Sequence, residues 1–165
     1  MMRIQVLSDS HHDREQVQRA LREQPDAQVV FHLGDGVRDM QELPELAGKT
    51  VLTVRGYEPY GTLPEFLTGE WEGVRYYACH GQAEHADISN ELLLEKAREH
   101  NASLVLYGHT HEQAADRVNG VLLMNPGHLR RGEYGVIDIT PQGDVTTRLL
   151  TMKKRGANDA RTGSV

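Results

Sequence analysis

Short apolar runs, each closed by a polar cluster, recur along the chain at residues 4–7, 29–31, 51–54, 76–79 and 104–107. Several are continuous rather than alternating, which is the pattern of strands covered on both faces. Two amphipathic segments lie between them. The first is predicted to start as a helix at Asp13, with Gln16 at capping-box spacing and Val17, Ala20 and Leu21 on one face, and to end before Pro25. The second is predicted over residues 87–100, with Ile88, Leu92, Leu93 and Ala97 as its apolar stripe. From Gln113 onward the pattern changes to hairpins, with Asn119-Gly120 as a tight turn and Pro141-Gln142-Gly143-Asp144 joining another strand pair. Strand–helix alternation followed by a β-rich final third predicts an α/β sandwich with mixed sheets, not a purely doubly wound fold.

Composition narrows the setting without naming a chemistry. A chain of 165 residues suits one domain. We expect that domain to occupy residues 1–152, with the basic, apolar-poor segment 153–165 as a mobile tail. No apolar run approaches the roughly 20 residues of a membrane span, so no membrane partner is expected. Residues 1–9 carry no secretory signal pattern, and a single cysteine, Cys79, precludes an internal disulfide. Together these predict a cytoplasmic protein. The net charge of −6 argues against nucleic acid as a stable partner. Assembly into a homo-oligomer is left open.

The polar clusters carry the chemistry. Asp9-Ser10-His11 follows the first apolar run, Gly34-Asp35-Gly36 the second, Gly56-Tyr57-Glu58 the third, His80-Gly81-Gln82 the fourth and Gly108-His109-Thr110-His111 the fifth. In open α/β sheets, ligands sit beyond the carboxyl ends of strands, so the five clusters are expected to share one crevice. Carboxylates and imidazoles without thiolate suit Mn, Fe, Co, Ni or Zn, and this many donors exceeds what one four-coordinate ion uses. A site of two ions about 3.5–4 Å apart would use them. Taken singly, Asp9 and Asp35 are turn or cap residues, His11, His109 and His111 exposed loop histidines, and His80 a core histidine. Their joint placement at strand ends is what weighs against those readings.

Asp9-Ser10-His11, Gly34-Asp35, Arg55-Gly56, His80-Gly81, Gly108-His109-Thr110-His111 and Asn125-Pro126-Gly127 together resemble the ordered motifs of calcineurin-like metallophosphoesterases. The small YfcE/YsnB-like phosphodiesterase subgroup is the best match, over residues 2 to about 150. The resemblance implies a four-layer sandwich of two mixed β-sheets flanked by helices. It also implies two divalent ions, Mn first among the candidates and Ni, Co, Fe or Zn as alternatives. Asp9, His11 and His111 would hold one ion, Asp35 would bridge, and His80 and His109 would hold the other. Asp35, His80 and His109 are implied as catalytic, and a metal-bound hydroxide would attack a small phosphate ester in line.

The chain departs from the family at Tyr57, where the motif has Asn as a ligand of the second ion. A phenol with an ordinary pKa of about 10 is a poor replacement. Glu58 next door is the alternative carboxylate, or the second ion binds weakly. His128 stands where the subgroup has Ser. Of the remaining histidines, His32 reads as structural and His100 as a helix-end cation; His12 and His128 stay open between a surface role and substrate contact. Arg38, Arg55, Arg130 and Arg131 are possible phosphate contacts, and Cys79 reads as a small core residue. The rival reading is a non-catalytic interaction module, because a retromer subunit is built on the same fold.

Overall fold

The computed structural model describes residues 1–58 and 62–155. Ten strands and two helices follow one another as β1 (Met2–Leu7), α1 (Arg14–Glu23), β2 (Val29–His32), β3 (Thr50–Thr53), β4 (Phe66–Trp71), β5 (Val74–Cys79), α2 (Glu91–Glu99), β6 (Leu104–Leu106), β7 (Ala114–Val118), β8 (Val121–Asn125), β9 (Glu133–Ile139) and β10 (Val145–Thr151), with short 3₁₀ turns between some of them. They form two five-stranded sheets, ordered β10-β9-β1-β2-β3 and β4-β5-β6-β8-β7. Both are mixed. In the first, β1, β2 and β3 run parallel, β9 runs antiparallel to β1, and β10 antiparallel to β9. In the second, β5, β6 and β8 run parallel, with β4 and β7 antiparallel at the edges.

The continuous apolar runs follow from the layering. Ile4, Val6, Val29 and Phe31 meet Tyr76, Ala78, Leu104, Leu106 and Met124 in the core between the sheets. Their strand neighbours point the other way. Leu7 and Val30 join Val17, Ala20 and Leu21 of α1, while Tyr77, Cys79, Val105 and Leu123 join Leu93 and Ala97 of α2. The result is the predicted four-layer sandwich, helix on sheet on sheet on helix.

Two local expectations are corrected, and one strand was not foreseen. Helix α1 is capped by Asp13, whose Oδ1 accepts from the Gln16 amide at 3.1 Å, but the Gln16 side chain goes to the Arg130 carbonyl, so the capping box is half formed. Helix α2 starts at Glu91 rather than near residue 87, because His85 takes a left-handed backbone (φ 52) and turns precede the helix; Ile88 is exposed and outside the apolar stripe. Strand β4, at the sheet edge, escaped the periodicity because Gly69 interrupts it. A Cβ on Gly69 would stand 2.6–2.8 Å from the Tyr76 ring, so the hairpin register itself requires glycine. Of the segment 153–165, Lys153 accepts from Arg19 at its carbonyl, and Arg155 pairs with Asp13 and Glu15 at 2.7 and 2.9 Å. Residues 156–165 lie outside the described residues.

Candidate metal centre

The loops that leave β1, β2, β3, β5 and β6 meet where the two sheets adjoin. Backbone hydrogen bonds fix the meeting: Asp9 N–H donates to the Gly34 carbonyl (3.0 Å), His11 N–H to that of Asp35 (3.0 Å), and Gly108 N–H to that of His80 (2.8 Å). His109 N–H donates to Asp9 Oδ2 at 3.2 Å, tying the second sheet to the first. Asn125 at the end of β8 holds the Gly108–Thr110 turn, its amide donating to the Gly108 carbonyl and Thr110 Oγ1. Two glycines let these loops close. A Cβ on Gly56 would lie 2.2 Å from Asp35 Oδ1, and one on Gly108 would lie 2.2 Å from Ser8 Oγ and 3.0 Å from Asp9 Oδ2.

Five of the six expected ligands, Asp9, His11, Asp35, His109 and His111, adopt a left-handed backbone with φ between 45 and 70°. Such a conformation costs a non-glycine residue roughly 1 kcal/mol or more, and it persists where surrounding structure enforces it, typically at functional sites.

The side chains converge. Asp9 is fully buried; its Oδ2 accepts from Ser8 Oγ at 2.7 Å, while Oδ1 has no hydrogen-bond partner and faces His111 Nε2 at 3.3 Å and His11 Nε2 at 3.6 Å. Asp35 Oδ1 accepts from the Tyr57 N–H at 2.6 Å, and Oδ2 faces His80 Nε2 at 3.3 Å. His80 Nδ1 meets the Leu33 carbonyl at 2.7 Å, which fixes the proton on Nδ1 and leaves the Nε2 lone pair facing the site. Donor atoms of Asp9, Asp35 and His80 lie within 4.8 Å of one another, and so do those of His11, His111 and His128. His109 stacks edge-on to His80 at 5.3 Å and faces the Asp87 carboxylate at 3.7 Å.

The donor set fits divalent ions on physical grounds. Asp9 Oδ1, His11 Nε2 and His80 Nε2 are buried without a hydrogen-bond partner, and orphaned buried polar atoms are rare and costly unless a bound ion or water satisfies them. In the metal-free protein, burial pushes the Asp35 carboxyl up, but hydrogen bonding and charge from His80, the Tyr57 amide and His11 outweigh it and bring the pKa down to about 2. Burial likewise lowers His80, and the Asp35 carboxylate 3.3 Å away, with the charge of Asp9, more than reverses this.

Glu58 has a different set of partners from the one expected of a ligand. Its Oε1 accepts from the backbone N–H groups of Gly36 and Val37, and its Oε2 accepts from Gly56 at 2.9 Å. Burial alone would raise its pKa; the backbone donors of Val37, Gly36, Asp35 and Gly56 lower it. The carboxylate braces the Asp35 loop against the Tyr57 loop. Tyr57 is exposed, and its ring stands 6.4 Å from His80 and 6.2 Å from His109, over the side of the site where the second ion is expected. His12 and Arg38 line a cleft of about 240 Å³ that opens onto Asp35 and Tyr57. Ser8, Asp87, the turn-holding role of Asn125 within its motif and the bracing role of Glu58 escaped the sequence reading, since each acts through a hydrogen bond or ion pair that no local spacing encodes.

His32 is a structural brace, as its sequence context suggested. Gly34 N–H donates to its Nδ1 at 3.1 Å, so the ring is neutral with its proton on Nε2, which lies 3.0 Å from Ser10 Oγ; that hydroxyl donates to Asp39 Oδ2 at 2.6 Å. Burial lowers its pKa from 6.5 to about 4. Between those values the unfolded chain binds the proton and the folded one does not. The stabilisation is therefore complete above about pH 6.5 and falls by about 3 kcal/mol as pH drops to about 4. Urea unfolding of chelator-treated protein at pH 7, 5.5 and 4.5 should show this loss, and His32→Gln should flatten it. His128 is lowered in the same direction, mainly by burial, but is partly exposed and contributes less.

A model of the calcineurin-like phosphoesterase superfamily domain matches residues 2–140, most of the chain. The chain belongs to that superfamily. Its relatives include a phosphodiesterase of Methanocaldococcus jannaschii, 23% identical over 145 residues that cover 76% of this chain and 83% of the relative. Among solved structures, a Streptococcus pneumoniae protein described as a predicted phosphoesterase aligns with a TM-score of 0.71 at 25% identity, covering 92% of this chain and 98% of that one. Vps29 of Entamoeba histolytica, solved as a complex with zinc, aligns with a TM-score of 0.72 at 20% identity, over 91% and 99% of the two chains, a likeness of fold alone. The calcineurin-like fold thus accounts for the two mixed sheets, and the superfamily for a phosphoesterase with candidate metal ligands at its strand ends. No helix among the described residues is long and apolar enough to cross a membrane.

Proposed function

We propose that this calcineurin-like protein is a phosphodiesterase with a two-ion centre, in which Asp9, His11 and His111 hold one divalent ion, His80 and His109 the other, and Asp35 bridges them. The observation that carries the reading is the set of buried, partnerless atoms Asp9 Oδ1, His11 Nε2 and His80 Nε2 in one strand-end crevice. When bound, the ions supply an activated water for in-line attack and positive charge for the developing phosphorane oxygens. The chain's own residues do the rest. Ser8 and the His109 amide hold the Asp9 carboxylate; the Tyr57 amide aims Asp35; the Leu33 carbonyl aims His80. A cleft of about 630 Å³ lined by Arg55, Glu65, Phe66, His80, Glu84 and Lys96 leads away from the second-ion side, where Lys96 and the exposed Phe66 ring offer a cation and an aromatic face to an ester's organic group. A small phosphate ester is therefore the substrate class proposed.

Turnover of an aryl phosphodiester and an aryl phosphomonoester with Mn, Co, Ni or Zn tests this directly. Metal-dependent hydrolysis of the diester is expected. No turnover with any of the four ions would favour the second reading, a non-catalytic interaction module, which Tyr57 at the second-ion side makes specific.

Tyr57→Asn bears on the same point. With Tyr57 the second ion has three side-chain ligands, and we expect it to bind more weakly than the first. Restoring an amide oxygen should raise second-ion affinity by about tenfold and raise activity at low metal, while the backbone N–H to Asp35 is kept. If the ring instead covers bound substrate, the variant will raise KM and leave metal affinity unchanged.

A further inference from the structure

The third histidine of the His11–His111 cluster lies outside the ligand set argued above. We propose that His128 is a further ligand of the first ion, so that this site presents three imidazoles and prefers Zn, Co or Ni over Mn; the inference rests on the two-ion reading. His128 follows Gly127, whose left-handed backbone (φ 89) is pinned by a bond from its N–H to Asn125 Oδ1 at 2.9 Å. The next residue, Leu129, donates from its N–H to the Ser8 carbonyl at 3.0 Å, and His128 N–H donates to Glu133 Oε1 at 3.0 Å. These bonds set the His128 backbone beside the end of β1, next to Asp9. The ring then packs 4.2 Å from that of His111 and 5.3 Å from that of His11.

Packing alone does not explain the residue. An aromatic hydrocarbon would fill the same space, whereas His128 Nδ1 is buried with no hydrogen-bond partner, the same condition found at His11 Nε2 and Asp9 Oδ1. One ring nitrogen from each of His11, His111 and His128 lies within 4.8 Å of the others. Three convergent imidazoles with the Asp9 and Asp35 carboxylates make a nitrogen-rich set. Imidazole favours Zn, Co and Ni, while Mn is held best by oxygen donors, so adding one imidazole raises affinity unequally among the ions.

The test is calorimetric titration of the chelator-treated full chain with Zn, Co and Mn, for the wild type, His128→Phe, which keeps a packed ring, and His128→Ser. Both variants should lose about tenfold or more in first-site affinity for Zn and Co and much less for Mn. A second measurement needs no variant: proton NMR of wild type loaded with one equivalent of Co should show three paramagnetically shifted imidazole N–H resonances. Unchanged Zn and Co affinities in His128→Phe, or two shifted resonances, overturn the proposal while leaving the metal centre intact. Wild type that binds no ion overturns both.

Discussion

Asp35→Asn should lower turnover of an aryl phosphodiester roughly a thousandfold while leaving the metal-free fold intact. The side chain's hydrogen bonds predict both halves. An asparagine oxygen can still accept from the Tyr57 N–H, now made to Oδ1 at 2.6 Å. Its NH₂ would sit where Oδ2 does, 3.3 Å from His80 Nε2, and can donate to that lone pair. The substitution therefore satisfies the metal-free site better than aspartate does, yet it caps the nitrogen assigned to the second ion and removes the charge assigned to both ions. Circular dichroism and urea unfolding of chelator-treated protein should be close to wild type, with activity lost. His80→Ala, which removes a ligand from one ion, should cost less. If Asp35→Asn keeps near-normal rate while His80→Ala does not, the bridging role is wrong.

Removing divalent ions should abolish activity altogether and also soften the fold. Without ions, Asp9 Oδ1 and His80 Nε2 remain buried without hydrogen-bond partners, and five strained backbone positions lack the ligand bonds proposed to reward them. An ion present at a hundredfold excess over its Kd contributes about 2.7 kcal/mol to stability, which in a domain of this size shifts Tm by roughly 5–10 °C. Thermal unfolding with Mn, and with chelator in its place, reads this difference. Full activity in chelator would remove metal from the mechanism. An unchanged Tm would mean that the orphaned atoms are not ligands.

The sequence made the layered core legible because most of its strands are buried on both faces. Val6 and Leu7, or Tyr76 and Tyr77, serve two different cores in consecutive positions, and the apolar run records that directly. Edge strand β4 left no such trace, having one face to solvent and Gly69 where Tyr76 crosses. The meeting of the expected ligand residues was legible for a related reason, since they follow buried strands closely and the sheets bring those strand ends together. Glu58 shows the limit. Its residue type and place next to Tyr57 suit a ligand, but its oxygens are taken by the N–H groups of Gly36, Val37 and Gly56, and such backbone donors have no signature in sequence. His128 shows the reverse case: its place after Asn125-Pro126-Gly127 marks it as a departure, but nothing in sequence shows that the Leu129–Ser8 backbone bond carries it to the end of β1.

The dinuclear centre is the claim on which the rest depends, and metal stoichiometry tests it most directly. Calorimetric titration of chelator-treated wild type with Mn, checked by elemental analysis of the dialysed product, should give two ions per chain in two separable steps. Saturation at a single ion per chain, or no binding at all, would contradict the assignment of Asp9, His11 and His111 to one ion and His80 and His109 to another.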